Sequence, residues 1–282
     1  MSDEIRSILA AVDRDPRQAK RVAVKAVTLA RLMGARLELF LCDAETAYTG
    51  KHQYEPAAAA RASQSSLMES RQYLENLRRG LAGDVEISLC VACESPLYES
   101  IVSAVRRRRP DLVVRGAAAG AALDPNDWEL VSACPVPLLL TRGQPWNPRP
   151  LIAAAVDVSP GESDSLTHTI LRAAASFARA AEGRVELLHA SGLEAEFPSR
   201  RAALAGRARE AGLQGAECRV IAGEPADALR QFCLSRNYDL IALGALTHRK
   251  TLAALAGTMT GRLIESLDTD FLLVKQAPAH AA

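Results

Sequence analysis

A glycine that leaves a strand and a Gly-Thr pair that opens a helix thirteen residues later are parts of an anion cradle. The second half of this chain has both, in the order Gly244-x2-Thr247-x9-Gly257-Thr258. Gly244 permits a turn with positive φ, and Gly257-Thr258 at a helix start supplies unpaired N–H groups, a hydroxyl and the positive end of the dipole. His248, Arg249 and Lys250 in the intervening loop can give an anion charge-assisted bonds of about 1.5 to 3 kcal/mol each, or form a solvated loop. The plainer alternative for the whole segment is a turn followed by a capped helix. Other chemistry is thinly represented. Cys90-x2-Cys93 has no second pair at zinc spacing and reads as structural. Arg106 to Arg109 precede Pro110, where cations suit a helix C-terminus. His189 ends an apolar run and reads as a packed residue. With no Ser/His/Asp order and no acidic pair in a metal context, neither catalytic residues nor metal ligands are expected.

The elements that must hold the cradle occur twice. Ile8 to Asp13 recurs as Leu151 to Asp157, an apolar strand ending in Asp both times; Arg36 to Leu39 recurs as Arg184 to Leu187; Asp111 to Ala117 recurs as Asp239 to Ala245; Leu138 to Leu140 recurs as Leu272 to Val274. The drifting offsets place extra residues in the middle of repeat one, where Ala57 to Arg79 reads as a long helix, and six more in repeat two between its fourth and fifth strands. Apolar runs of four to six residues alternating with helical stretches predict a parallel sheet covered by helices on both faces. In repeat two the strands read Leu151 to Val156, Arg184 to His189, Ala216 to Val220, Leu240 to Leu243 and Phe271 to Val274, with helices over Asp164 to Ala181 and Pro225 to Leu234. Three prolines between Arg142 and Pro150 mark a linker, so the expected domains are 1–144 and 149–282. The fold class is α/β, two tandem doubly wound five-stranded parallel sheets. In such sheets ligands sit beyond the strand ends where the winding reverses, which is where the glycines fall.

The glycine spacing, the strand-one Asp and the closing apolar strand resemble the universal stress protein family. Its nucleotide-binding members carry Gly-x2-Gly-x9-Gly-Ser/Thr between strands four and five, and here Thr247 replaces the second glycine. The chain is most similar to the tandem, E-type members. The resemblance implies a Rossmann-like fold of the adenine nucleotide alpha hydrolase type with strand order 3-2-1-4-5, and pairing of the two closing strands across a pseudo-two-fold within the chain. It implies ATP or another adenine nucleotide as ligand, with an optional Mg2+. Val156, Asp157 and Val158 would meet the adenine and ribose side, Ala190 would line the adenine slot, and Gly244, Thr247, Gly257, Thr258 and Met259 would surround ribose and phosphates. In repeat one, Leu123-Asp124 falls where Gly257-Thr258 stands, and a carboxylate there repels phosphate and occupies the N-cap. Repeat one is therefore expected not to bind ATP in this manner, and Asp13 to be a turn or cap residue.

Composition narrows the partners. With 34 Lys+Arg against 33 Asp+Glu and 4% aromatic residues among 282, the electrostatic footprint and the stacking platforms of a nucleic-acid binder are missing. No apolar run is long enough for a membrane span and no signal peptide is read, so a cytoplasmic protein is expected. Six scattered cysteines fit reduced thiols. Three functions stay open: a stress-response regulator binding adenine nucleotide in its second domain with little or no hydrolysis, a nucleotide-independent scaffold docking a protein partner through Ala57 to Arg79, and a receptor for an acyl or lipid-sugar ligand. Homo-oligomerisation is left undecided.

Overall fold

The structure, a computed structural model, describes residues 4–43, 56–81, 83–92, 96–118, 122–245 and 258–276. Thr247, Gly257, His248, Arg249, Lys250 and Cys93 lie outside them. Contacts divide the chain into two compact units, one of Ile5–Gly116 with Ala133–Val136, the other of Ala117–Ser132, everything from Pro137 on, and the N-terminal four residues.

In the first unit, β1 (Ser7–Val12), β2 (Arg36–Cys42), β3 (Ile87–Ala92) and β4 (Leu112–Gly116) form a parallel sheet in the order β3-β2-β1-β4. Its helices are α1 (Pro16–Met33), α2 (Pro56–Arg79) and α3 (Leu97–Arg108). The start of α1 follows from Asp15, whose carboxylate accepts from the Arg17 N–H at 2.9 Å, and from Pro16 in the first turn; Gly34 ends it at φ 62°, a conformation that costs a glycine nothing.

The second unit holds α4 (Pro125–Ala133, all but its last residue), β5 (Leu138–Thr141), β6 (Leu151–Ala155), α5 (Asp164–Ala180), β7 (Arg184–Ser191), α6 (Phe197–Glu210), β8 (Glu217–Ala222), α7 (Pro225–Leu234), β9 (Leu240–Gly244), α8 (Met259–Ser266) and β10 (Asp270–Val274). Its strands run β5-β10-β9-β6-β7-β8, parallel throughout from β10 to β8. Numbered within the repeat, β8-β7-β6-β9-β10 is the order 3-2-1-4-5. The closing strands pair antiparallel as the resemblance implied, Leu138 against Leu273 and Leu140 against Phe271.

The repeated Asp-Leu motif has a structural job. Asp239 accepts from the N–H groups of Leu151 (2.9 Å) and Asn147 (2.8 Å), and Asp111 accepts from those of Ser7 (3.0 Å) and Arg6 (2.9 Å). In each repeat the residue before strand four thereby clamps the entry to strand one. The long helix read over Ala57 to Arg79 is α2, 24 residues against the 14 of α6 at the same place between strands two and three of the second repeat. One sequence reading needs correction. Asp13 is neither turn nor cap residue, for Asp15 caps α1 and Asp13 accepts from the Arg115 guanidinium at 2.6 Å.

Beneath β7, Tyr238 donates to the buried Glu186 carboxylate at 2.5 Å. Cys233, 5% exposed, has its thiol pushed up from 9.0 to about 12 by burial first and by the charge of Glu186 second. Burial and Glu186 raise Tyr238 as well. The unfolded chain releases the Cys233 proton near pH 9 while the folded chain retains it. Stability is thus complete below pH 9 and falls as pH rises toward 12, by up to about 1.4 kcal/mol per pH unit. Melting temperatures measured from neutral pH to about pH 11 should fall in the parent and fall less in Cys233→Ala. Parallel curves would show that this thiol does not set the alkaline limit.

Candidate functional site

The winding of the second unit reverses between β6 and β9, since the chain moves outward from β6 to β7 and β8 and then crosses back to β9. Beyond the carboxyl ends of these strands lies a cavity of about 240 Å3. Its floor is apolar, from Ala155, Val156, Leu166, Ile170, Ala190 and Leu229; its polar rim comes from Asp157, Glu162, Ser163, Thr167, His189, Thr258 and Thr260.

Local chemistry explains why these pieces converge. Ser163 caps α5 by accepting from the Leu166 N–H, and one turn later the Thr167 hydroxyl donates to the carbonyl of Asp157 at 3.1 Å. That bond ties α5 to the chain leaving β6. Thr258 caps α8 by accepting from the Gly261 N–H at 3.2 Å, and the Thr260 hydroxyl donates to the Gly244 carbonyl at 3.1 Å, which ties α8 to the end of β9. Two threonines in first helical turns thus latch both helix starts to strand ends. Asp157 turns the chain by accepting from the Ser159 N–H at 2.8 Å, and its side chain stays 56% exposed.

Of the residues singled out from the sequence, Val156, Asp157, Ala190, Gly244, Thr258 and Met259 line this one cavity. They come from four separate segments. Val158 does not line it; its N–H lies 3.5 Å from His189 Nδ1. Thr247 and Gly257 fall outside the described residues, as does the basic loop segment. Among the described lining residues the charged groups are the carboxylates Asp157 and Glu162. Arg262 on α8 is engaged by Asp227 and Glu224 on and before α7, and Arg200 by Glu196.

Sequence reasoning passed over Thr167, Thr260, Glu162 and His189. A threonine in the first turn of a helix that follows a strand was the available signal for the first two. His189 gave none, since a histidine ending a strand reads equally well as packing. The structure buries it to 3% exposure with Nδ1 3.2 Å from the Val156 carbonyl and 3.7 Å from Asp157 Oδ1, while Nε2 has no partner among the described residues. A buried polar atom left so costs about 1–3 kcal/mol.

The corresponding strand ends of the first repeat carry paired charges. Arg115, 6% exposed, stands where the second repeat has Leu243 and reaches Asp13; Arg14 donates to the buried Asp43 at 2.6 Å. From α2, Ser66 and Ser70 donate to the same Asp43 carboxylate at 2.7 and 2.6 Å, and Tyr73 donates to the Asp13 carbonyl at 3.0 Å. Asp124 accepts from the Asn126 N–H at the start of α4, so a carboxylate caps the helix that Thr258 caps in the other repeat. Among the described residues there is no cluster of metal-ligating side chains, and no helix long and apolar enough to cross a membrane.

A model of the universal stress protein family matches residues 4–142 and 152–275. Among solved structures, a Pseudomonas aeruginosa protein assigned to the universal stress proteins is 23% identical over 98% of this chain and 95% of its own, with a TM-score of 0.72. A second P. aeruginosa protein of unknown function is 22% identical over 98% and 94%, also at 0.72. A universal stress protein from Archaeoglobus fulgidus is 13% identical over 98% of both chains at 0.70. No curated protein matches the sequence.

Proposed function

The chain belongs to the universal stress protein family, and from that premise we propose that its second repeat binds one adenine nucleotide, ATP first, as a regulatory ligand. The observation that carries this reading is the convergence of Val156, Asp157, Ala190, Gly244, Thr258 and Met259 on one cavity at the switch point of the sheet. An apolar floor suits the faces of a purine, Asp157 at the rim suits ribose hydroxyls, and the first turn of α8 offers N–H groups and the Thr258 hydroxyl to phosphates. By sequence pattern alone, Thr247, Gly257 and the basic residues His248 to Lys250 between them are candidates for the phosphates, with Mg2+ as an optional companion. The nucleotide is read as a regulatory ligand more than a substrate, with slow hydrolysis as the upper limit.

The first repeat does not share this role. Arg115 and Arg14, paired with Asp13 and Asp43, stand at the corresponding strand ends of the first repeat. Isothermal titration of the full chain with ATP tests both statements. One site per chain with a dissociation constant below about 1 mM is expected, near −4 kcal/mol or better. No heat up to millimolar nucleotide, or two equivalent sites, would overturn the reading.

A second reading, a scaffold that docks a protein partner on α2, is favoured by Met68 and Leu67, 73% and 39% exposed. Its discriminator is a binding-dead second repeat that leaves partner capture unchanged.

A further inference from the structure

We propose that Arg262 lets the second repeat accept a polyanion by masking two carboxylates beside the phosphate end of its cavity, so that this arginine favours nucleotides in proportion to their charge; the inference rests on the nucleotide reading above.

The conflict that Arg262 resolves is built into the fold. Two helix starts border the cavity, α7 through Pro225 and Leu229 and α8 through Thr258, Met259 and Thr260. The start of α7 is stabilised by anions of its own. Glu224 caps it by accepting from the Asp227 N–H at 3.0 Å, and Asp227 stands in its first turn, where a carboxylate suits the helix dipole. The first turn of α8 carries no acidic residue. With Asp157 and Glu162 already on the rim, two bare carboxylates on the neighbouring helix would add to the repulsion of a triphosphate. Arg262 bridges the two helices. It is the fourth residue after Thr258 and donates its N–H to the Thr258 carbonyl at 2.9 Å, while its guanidinium reaches Glu224 Oε2 at 3.5 Å and donates to Asp227 Oδ1. One cation thus serves both carboxylates; a second counter-charge, Arg230, stands 4.0 Å from Asp227 on the same helix. In the first repeat the fourth residue after Asp124 is Trp128, a neutral side chain. The side chains of Arg262, Asp227 and Glu224 are 40%, 49% and 60% exposed, so the pairing adds little to folding stability. Its consequence lies in the field at the mouth of the cavity.

The experiment titrates the full chain with ATP and with AMP, which carries about half the charge. At about 20 mM salt, Arg262→Ala should weaken ATP by about tenfold and AMP by about threefold, and the ATP loss should shrink to within about twofold at 0.5 M salt. Arg262→Lys, which keeps the charge, should stay within about threefold of the parent. Adding Glu224→Gln and Asp227→Asn to Arg262→Ala removes the unmasked carboxylates and should restore ATP to within about threefold of the parent. An unchanged ATP affinity in Arg262→Ala overturns the inference and leaves the nucleotide reading standing. Equal losses for the two nucleotides, or a triple variant as weak as Arg262→Ala, also overturn it, because they reduce Arg262 to a clip between two helices. A parent that binds no nucleotide removes the nucleotide reading and this inference with it.

Discussion

Asp270→Ala is expected to cost the second unit about 3–5 kcal/mol, a fall in melting temperature of roughly 10 °C. Asp270, 2% exposed at the start of β10, accepts from the Thr141 hydroxyl at 3.0 Å, the Arg142 N–H at 2.8 Å and the Trp146 indole N–H at 2.8 Å. It thereby fastens the first residues of the linker, and Trp146 packs in turn on Phe177 with ring centroids 6.0 Å apart. Nearby, Arg142 is 3% exposed and donates to the carbonyls of Ala118 and Ile264. Burial pulls its guanidinium down from the usual range, and Asp268 and Asp270 push it back up. Truncating Asp270 strands three donors and removes one of the two carboxylates that offset a buried cation, and both effects act in the same direction. Asp270→Asn retains an acceptor for Thr141 and the main chain and should recover part of the loss. Thermal unfolding of the two variants checks this, and an Asp270→Ala protein melting within about 2 °C of the parent would show that the linker is held by other means.

Gly244→Val is expected to remove nucleotide binding, a loss of at least about a hundredfold or 2.7 kcal/mol in affinity. A Cβ at this position would stand 3.0 Å from Leu166 Cδ2 and 3.7 Å from Ile170 Cδ1, and both side chains floor the cavity. Leu166 must give by a few tenths of an ångström for the Cβ alone, and the two γ-methyls of valine add bulk at the lining of the cavity. The same crowding should destabilise the fold by about 1–3 kcal/mol, so the melting curve and the titration are read together. A variant that melts cooperatively and gives no heat with ATP fits the assignment. One that melts cooperatively and binds as the parent does would place the ligand elsewhere.

The strands of the second repeat were legible to within two residues, because a strand buried on both faces must be an unbroken apolar run, and Leu240–Leu243 and Phe271–Val274 are such runs. Asp164–Ala180 and Pro225–Leu234 were legible from apolar period and first-turn proline. Phe197–Glu210 was not. That helix buries only Leu204 and Ala208 and lacks a side-chain cap; besides the local pairs of Arg200 with Glu196 and of Arg207 with Glu210 it is braced by Arg207 with Asp164, 43 residues away, a pair that no local pattern displays.

The site was legible in part for the same kind of reason. Residues adjacent in sequence to a strand end must lie at that end of the sheet, so Val156, Asp157, Ala190 and Gly244 could be assigned to one crevice as soon as the strand order was. What the crevice does chemically depends on which side chains from other segments reach it, and that is a property of packing. The ring of His189 is placed by the Val156 carbonyl and the Val158 N–H of the chain leaving β6. The charge pairing at the strand ends of the first repeat is set by Arg115 meeting Asp13, 102 residues away, and by serines on α2 meeting Asp43. Local order, being written in neighbours, is carried by the amino-acid sequence alone; the different polar pairing at the strand ends of the two repeats arises from charges that become neighbours only after the chain has folded.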